Sequence, residues 1–349
     1  MEKRIMLIVI AFLLLAPALF GCGGRAPVGE VNVYNWGEYI DMDVLKEFEK
    51  ETGIRVNYSV FQSNEEMYSI LRGGGAAYDV IIPSDYMISR LIDEGMLLEL
   101  DFSNIPNYTL IDNAYKNLEY DPEGKYSVAY MTGTVGLIYN YAMIPEEITS
   151  WGALFDERFA GQMLMFDNPR DAFGIALKYL GYYQNTTNES EIREAFDLLV
   201  LQKPLLQAYV MDQIFDKLES GEAAIGPYYA GDFLIMRESN PDLRFVRPVE
   251  GSNRFVDAMV IPVGARNKEN AERFIDFMSS TDIALANMDY IWYASANFEA
   301  NELFEDELDP EDFEIMFASP EALANCDVFT NLPAEILELY NTLWVELKR

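Results

Sequence analysis

Histidine is absent from all 349 residues. That removes the commonest general base, the commonest zinc ligand and every Ser-His or Cys-His nucleophile pair. Among enzymes it leaves chiefly carboxylate chemistry, such as a glycosidase acid pair, or oxygen-ligated metals. Cysteine is nearly absent as well: there are only Cys22 and Cys326. Basic residues are scarce, with 25 Lys and Arg against 58 Asp and Glu for a formal charge of −33. Nucleic acid is thereby excluded, since its affinity comes from Lys and Arg on phosphate. An anionic membrane surface is an equally poor partner for the body of the protein. Acidity on this scale favours solubility and attracts cations at long range. There is no GxxxxGK[ST] phosphate loop, so the chain carries no ATPase of its own. Repeats, low-complexity tracts and internal membrane-spanning runs are also missing.

Half of the chain is apolar and 13% of it aromatic, enough for a large core, and the length is that of two domains. The N-terminus reads Lys3-Arg4, an apolar run from Ile5 to Phe20, then Gly21-Cys22-Gly23-Gly24. A basic start, a short apolar stretch and small residues at its end make residues 1–21 an export signal rather than a spanning helix. Leu19-Phe20-Gly21-Cys22 resembles the lipobox of bacterial lipoproteins. The resemblance implies an acylated Cys22, a tether over residues 22–30 and attachment to the extracytoplasmic face of the cell membrane. Cys326 would then have no partner and is expected as a small buried residue.

Beyond the tether, strand and helix signals alternate. Val31–Trp36 reads as a strand, followed by a helix capped at Asp43 and ending near Thr52-Gly53. Ile54–Phe61 is a second strand. Ser63-Asn64-Glu65-Glu66 forms a capping box for a helix that Gly73-Gly74-Gly75 stops. Asp79–Ser84 is a short buried strand and Tyr86–Gly95 a helix. Tyr126–Tyr141 is too long for one small sheet and reads as a crossing between domains, with Phe255–Val263 as the return crossing. Between them lie strands at Gln162–Phe166, Ala223–Gly226 and Leu243–Arg247, with helices near Arg170–Tyr182, Glu189–Leu201 and Asp232–Glu238. Lys268–Ser280 and Ala334–Lys348 are amphipathic helices. This is an α/β pattern of two lobes, and a cleft between hinged lobes is a preferred ligand site.

Two segments point to what such a cleft would hold. Phe255-Val256-Asp257-Ala258-Met259-Val260-Ile261-Pro262 writes one carboxylate into an apolar strand. Trp36-Gly37-Glu38-Tyr39 sets an acid between aromatics at a strand end. A buried anion is costly unless it meets a cation, and aromatic faces attract the same partner. Together they predict a pocket for an organic cation. Taken alone, Asp257 fits a structural ion pair as well as a ligand contact, and Asp232 fits a helix cap. Ligands sit beyond the carboxyl ends of strands in open α/β sheets, which places Trp36–Tyr39 and Ser84–Tyr86 on one rim.

With these residues in view, nearly the whole mature chain resembles the spermidine/putrescine-binding lipoproteins of bacterial polyamine ABC importers. The matching segments include Val33-Tyr34-Asn35-Trp36-Gly37-Glu38-Tyr39, Glu51-Thr52-Gly53-Ile54, Ser63-Asn64-Glu65-Glu66-Met67-Tyr68, Tyr78-Asp79-Val80-Ile81-Ile82-Pro83-Ser84 and Asn267-Lys268-Glu269. The resemblance implies a two-lobe periplasmic-binding-protein fold of type II, each lobe a mixed, mostly parallel sheet flanked by helices. Lobe 1 would comprise 31–133 with 257–301, and lobe 2 would comprise 134–256 with 302–349. It implies aromatic walls from Trp36, Tyr39, Tyr86, Tyr229, Phe255 and Tyr293, acids Glu38 and Asp257 at one ammonium, and Ser84 as a polar wall residue. Asp171 would lie near the other end, with Asn168 where spermidine-type members carry an aspartate. Asp232 would sit where the putrescine-preferring branch keeps its acid, and Asp327 at a polar pocket position. A diamine preference follows from Asn168 and Asp232. The implied protein is a monomeric, non-enzymatic receptor that delivers polyamine to ABC permease subunits and needs neither cofactor nor metal. A ferric-ion receptor using Tyr228-Tyr229, or a carboxylate-based extracellular glycosidase, are the competing readings.

Overall fold

The computed structural model describes residues 28–74, 77–306 and 308–349. The export signal and Cys22 lie outside the described residues, as does most of the tether. In chain order the elements are β1 (Gly29–Trp36), α1 (Met42–Thr52), β2 (Ile54–Phe61), α2 (Asn64–Gly73), β3 (Val80–Ile81), α3 (Asp85–Asp93) and β4 (Ser127–Asn140). Next come β5 (Met163–Phe166), α4 (Pro169–Tyr179), α5 (Glu189–Gln202), β6 (Leu206–Val210), α6 (Ile214–Glu219), β7 (Ile225–Tyr229), α7 (Ala230–Ser239), β8 (Leu243–Val246) and β9 (Arg254–Val260). The remainder is α8 (Lys268–Met278), α9 (Thr281–Ile291), β10 (Ala294–Ser295), α10 (Phe298–Glu305), α11 (Pro310–Phe317) and α12 (Ala334–Lys348). Among the described residues, no helix is long and apolar enough to cross a membrane.

The ten strands run in the order β2-β1-β3-β9-β4-β7-β5-β6, with β8 and β10 also on β4. β1 pairs in parallel with β2 and β3, whereas β9 is antiparallel to both β3 and β4. β4 is the element shared by the two lobes. Its residues 127–134 pair with β9, and Val135–Asn140 pair with β7 and β8 in the second lobe. Its length therefore does what the sequence predicts. The return crossing does not fall within Phe255–Val263: β9 already pairs with β4 at Arg254, inside the first sheet. The chain changes lobe in the irregular stretch between β8 and β9, where the ladder needs no regular partner.

Local chemistry fixes the elements that border the cleft. Ser63 caps α2 by accepting the Glu66 N–H, and Glu66 reaches back to the Gln62 N–H. Gly74, at φ 63°, closes the same helix. Helix α1 is capped by Asp41, which accepts the Asp43 N–H; Asp43 itself lies in the first turn. The cap was expected two residues downstream because both acids suit that position. Only Val80–Ile81 of the expected Asp79–Ser84 strand carries a ladder, and Ser84 adds one isolated bridge to Asp257.

Candidate functional site: the interlobe cleft

Six strand-to-helix turns and strand β9 converge on one cavity. The β1–α1 turn brings Trp36, Gly37, Glu38 and Tyr39, and the β2–α2 turn brings Ser63, Asn64 and Glu65. The β3–α3 turn brings Ser84 and Tyr86, and β9 adds Phe255 and Asp257. The facing wall comes from Asn168 and Asp171 at the start of α4, Asp212 after β6, and Tyr228, Tyr229 and Asp232 where β7 enters α7. Tyr293 and Phe329 complete the lining. All but one of the thirteen candidate ligand residues thus face the same space.

The aromatic walls are braced by edge-to-face contacts. Tyr39 meets Tyr293 at 5.2 Å between centroids, and Tyr229 meets Phe255 at 5.5 Å. Trp36 leans on Phe61 at 4.5 Å. These geometries suit the ring quadrupoles. Close packing requires Gly231: a Cβ there would stand 2.5 Å from the Tyr293 ring. Glu38 has φ 46°, which is uncommon without glycine.

Six acids line the cavity (Glu38, Glu65, Asp171, Asp212, Asp232 and Asp257), and among the described lining residues there is no lysine or arginine. Four of the six are held by a tyrosine hydroxyl. Tyr86 donates to Glu65 at 3.1 Å, Tyr229 to Asp171 at 3.4 Å, Tyr228 to Asp212 at 3.0 Å and Tyr293 to Asp232 at 2.9 Å. A neutral donor fixes a carboxylate without cancelling its charge, and leaves oxygen lone pairs for another partner. Oδ1 of Asp257, the Tyr39 hydroxyl and the Trp36 indole N–H have no hydrogen-bond partner among the described residues. Buried groups of this kind are rare unless a ligand or water completes them.

Burial raises these carboxyls. Burial pushes Asp257 up to about 7; the Ser84 and Tyr39 hydroxyls are near enough to offset this slightly, but neither completes a hydrogen bond to the carboxylate. Asp232 rises to about 8 through burial, with added repulsion from Asp212 and Glu38 that the Tyr293 hydroxyl offsets in part. Asp171 rises to about 6 through burial, opposed by the Asn168 amide and reinforced by Glu65. Desolvation dominates in each case, and at Asp171 it outweighs even the adjacent Arg170 charge.

Asp327 is the exception. Its carboxylate pairs with Lys178 and does not face the cleft. Its backbone is tied to Ser252 and Arg254, so strand-like pairing to the Asn253 segment turns the side chain away. Asn168 lines the cavity but also caps α4, accepting the Asp171 N–H at 2.9 Å and donating to the Asp171 side chain at 2.8 Å. Tyr228 and Tyr229 send their hydroxyls to different acids rather than to one point, which is not how a paired iron ligand would be arranged. Glu65, Asp212, Phe61, Phe215 and Phe329 were not anticipated. Glu65 was read only as part of a capping box, and β6, which delivers Asp212, has no clear apolar alternation.

This fold and this cleft define a two-lobed solute-binding protein. The bacterial extracellular solute-binding protein family matches over residues 43–330. The spermidine/putrescine-binding periplasmic protein of Escherichia coli is 34% identical over 277 residues, 79% of this chain and 80% of that protein. A solved structure from Listeria monocytogenes, assigned to a spermidine/putrescine ABC transporter, superposes with a TM-score of 0.86 at 38% identity, covering 91% of this chain and 98% of that one. The TpPotD lipoprotein of Treponema pallidum gives 0.80 at 28% identity, covering 91% and 99%. The chain belongs to the polyamine-transporter, spermidine/putrescine-binding branch of the solute-binding proteins, a family of transport receptors and not of enzymes.

Proposed function

We propose that the protein captures a short linear polyamine in the interlobe cleft and hands it to the permease of an ABC importer. The observation that carries this reading is the set of six acids facing one aromatic-walled cavity whose described lining offers no basic side chain. Carboxylates pair with the ammonium ends, while Trp36, Tyr39, Tyr229, Phe255 and Tyr293 pack on the methylenes. The lobes hinge where β4 and the β8–β9 stretch pass between them, with residues 31–133 and 257–301 largely in one lobe and the rest in the other. The relatives' names, which pair spermidine with putrescine, support the ligand class. The uncharged Asn168 favours putrescine over spermidine. Acyl chains on Cys22 would hold the monomer at the outer face of the membrane, and the Treponema relative is itself described as a lipoprotein.

The test is a calorimetric titration with putrescine, cadaverine, spermidine and spermine, with 1,4-butanediol as an uncharged control. One-to-one binding of putrescine and silence from the diol are expected. Failure of all four amines to bind would remove the reading. For the anchor, Cys22→Ser should release soluble protein or leave an uncleaved precursor; a membrane-bound variant of wild-type mass would show the anchor to be misassigned.

A further inference from the structure

We infer that Arg170 is a positioning residue of the amine site: its guanidinium does not enter the cavity but seats the Tyr86 and Phe329 rings that line it. This rests on the polyamine reading and adds to it a residue that acts on every ligand alike. Arg170 follows Pro169 in the first turn of α4, is 2% exposed and is not part of the cavity lining. Its hydrogen bonds go to uncharged oxygens only: Nη2 donates to Asn185 Oδ1 at 3.0 Å and Nη1 to the Thr330 carbonyl at 3.3 Å. Nε has no partner among the described residues. A buried cation without an ion-pair partner is costly, and an apolar side chain could fill the same space without that cost. What the guanidinium adds is a flat charged face. Its centre stands 4.6 Å from the Phe329 ring centroid and 4.9 Å from that of Tyr86, within reach of a cation–π contact with both.

The two rings reach this seat from different parts of the molecule. Tyr86 belongs to α3 in the first lobe, where its hydroxyl donates to Glu65 and accepts the Asn64 amide, both at 3.1 Å. Phe329 lies between α11 and α12, and the backbone on either side of it is pinned to the second lobe. The Val328 carbonyl accepts Asn185 Nδ2 at 2.8 Å, and the Thr330 N–H donates to Asn185 Oδ1 at 3.0 Å. The rings meet each other edge to face at 5.9 Å. Arg170 therefore fixes one corner of the aromatic wall from behind. That corner adjoins Asp171, whose carboxyl is raised by burial and drawn back in part by the Arg170 charge. Lysine would keep the charge but offers neither the plane nor the fork of donors.

The experiment compares wild type with Arg170→Lys, Arg170→Met and Leu199→Ala, the last a cut in the buried face of α5 that lowers stability away from the cleft. Affinities for putrescine, cadaverine and spermidine are measured by calorimetry, dissociation rates by stopped flow, and folding by thermal melts. Both Arg170 variants are expected to bind all three amines about tenfold more weakly, chiefly through faster dissociation. The ratios between amines should stay within about twofold of wild type, because Arg170 touches none of them. Leu199→Ala should bind as wild type does at temperatures where it is folded, which separates loss of affinity from loss of stability. Arg170→Lys at wild-type affinity would show that charge alone suffices and would overturn the inference. So would Arg170→Met losing no more affinity than Leu199→Ala, or a loss confined to one amine. Wild type that binds none of the three would instead overturn the polyamine reading, so the two failures are distinct.

Discussion

Asp79 and Asp257 belong to the same lobe, sit at or on neighbouring strands, and are 0% and 4% exposed. Asp79 is surrounded by donors. Oδ1 accepts the N–H groups of Arg266 and Asn267 at 2.8 Å, and Oδ2 accepts the Asn32 N–H at 2.9 Å and the side-chain amides of Asn32 and Asn267. Burial alone would raise this carboxyl, but the Asn267 and Asn32 donors outweigh it and hold it below the ordinary value. Asp257 keeps one oxygen without a partner and is raised to about 7. A buried acid therefore does not by itself mark a ligand site. The protein completes the hydrogen bonding of the one that joins its elements and leaves incomplete the one that faces the cleft.

The largest effect should come from Asp257→Asn. The substitution keeps the shape and removes the anion, leaving a bound ammonium without its partner at a cost of roughly 3–5 kcal/mol. That corresponds to about 100-fold to several thousand-fold weaker putrescine binding in a calorimetric titration. The unliganded variant should melt no lower than wild type, because an incompletely paired carboxylate is gone. If Asp257→Asn binds within a few-fold of wild type, the contrast with Asp79 collapses.

Asp79→Asn should do the reverse. It places an amide among donors and is expected to cost roughly 2–4 kcal/mol of stability, read as a lower denaturant midpoint. Putrescine should still bind at temperatures where the variant remains folded. A variant as stable as wild type would mean that the ring of donors around Asp79 is not what holds β3 to the start of α8.

The two kinds of acid also respond to pH with opposite sign. In the unliganded fold Asp257, Asp232 and Asp171 hold protons at pH values where the unfolded chain, with ordinary carboxyls near 3.8, has released them. Their contribution to stability is therefore largest at low pH and is lost as pH rises through about 6 to 8. Asp79, lowered on folding, contributes stability above the ordinary carboxyl range and loses it on acidification. Melts from pH 5 upward should show the free protein losing stability towards pH 8, and saturating putrescine should flatten or invert that slope. A free protein that gains stability across this range would show the cleft acids to be already compensated.

The smallest effect belongs to Asp327→Asn. Its pairing with Lys178 is partly exposed, so about 1 kcal/mol or less of stability is at stake. Putrescine affinity should stay within a few-fold of wild type. A large loss of binding would return Asp327 to the ligand site.

Much of this site is legible in local pattern. Asp257 stands out because its strand neighbours are apolar, and the Trp36–Tyr39 turn stands out because a strand ends there in aromatics around an acid. Position on a strand's carboxyl end then brings both to one rim. Asp79 could not be sorted from Asp257 in the same way, since its donors come from residues 32, 266 and 267, far apart in sequence. Asp212 depends on β6, whose residues are mostly half-buried and give no alternation to read. Glu65 was concealed by a correct capping assignment: Ser63 and Glu66 make the box, which frees Glu65 to point elsewhere. The turn of Asp327 away from the cleft is set by backbone pairing between distant segments, which no local pattern records.

The most direct measurement is proton release on binding. Putrescine is titrated into the protein near pH 7 in two buffers of different ionisation enthalpy, and the difference in heat counts the protons exchanged. Carboxyls raised to about 6, 7 and 8 by burial must ionise fully when an ammonium takes its place beside them, so a net release of protons to the buffer is expected. Identical heats in the two buffers, or proton uptake, would contradict the claim that the cleft acids are left unpaired by the protein in order to be paired by the ligand.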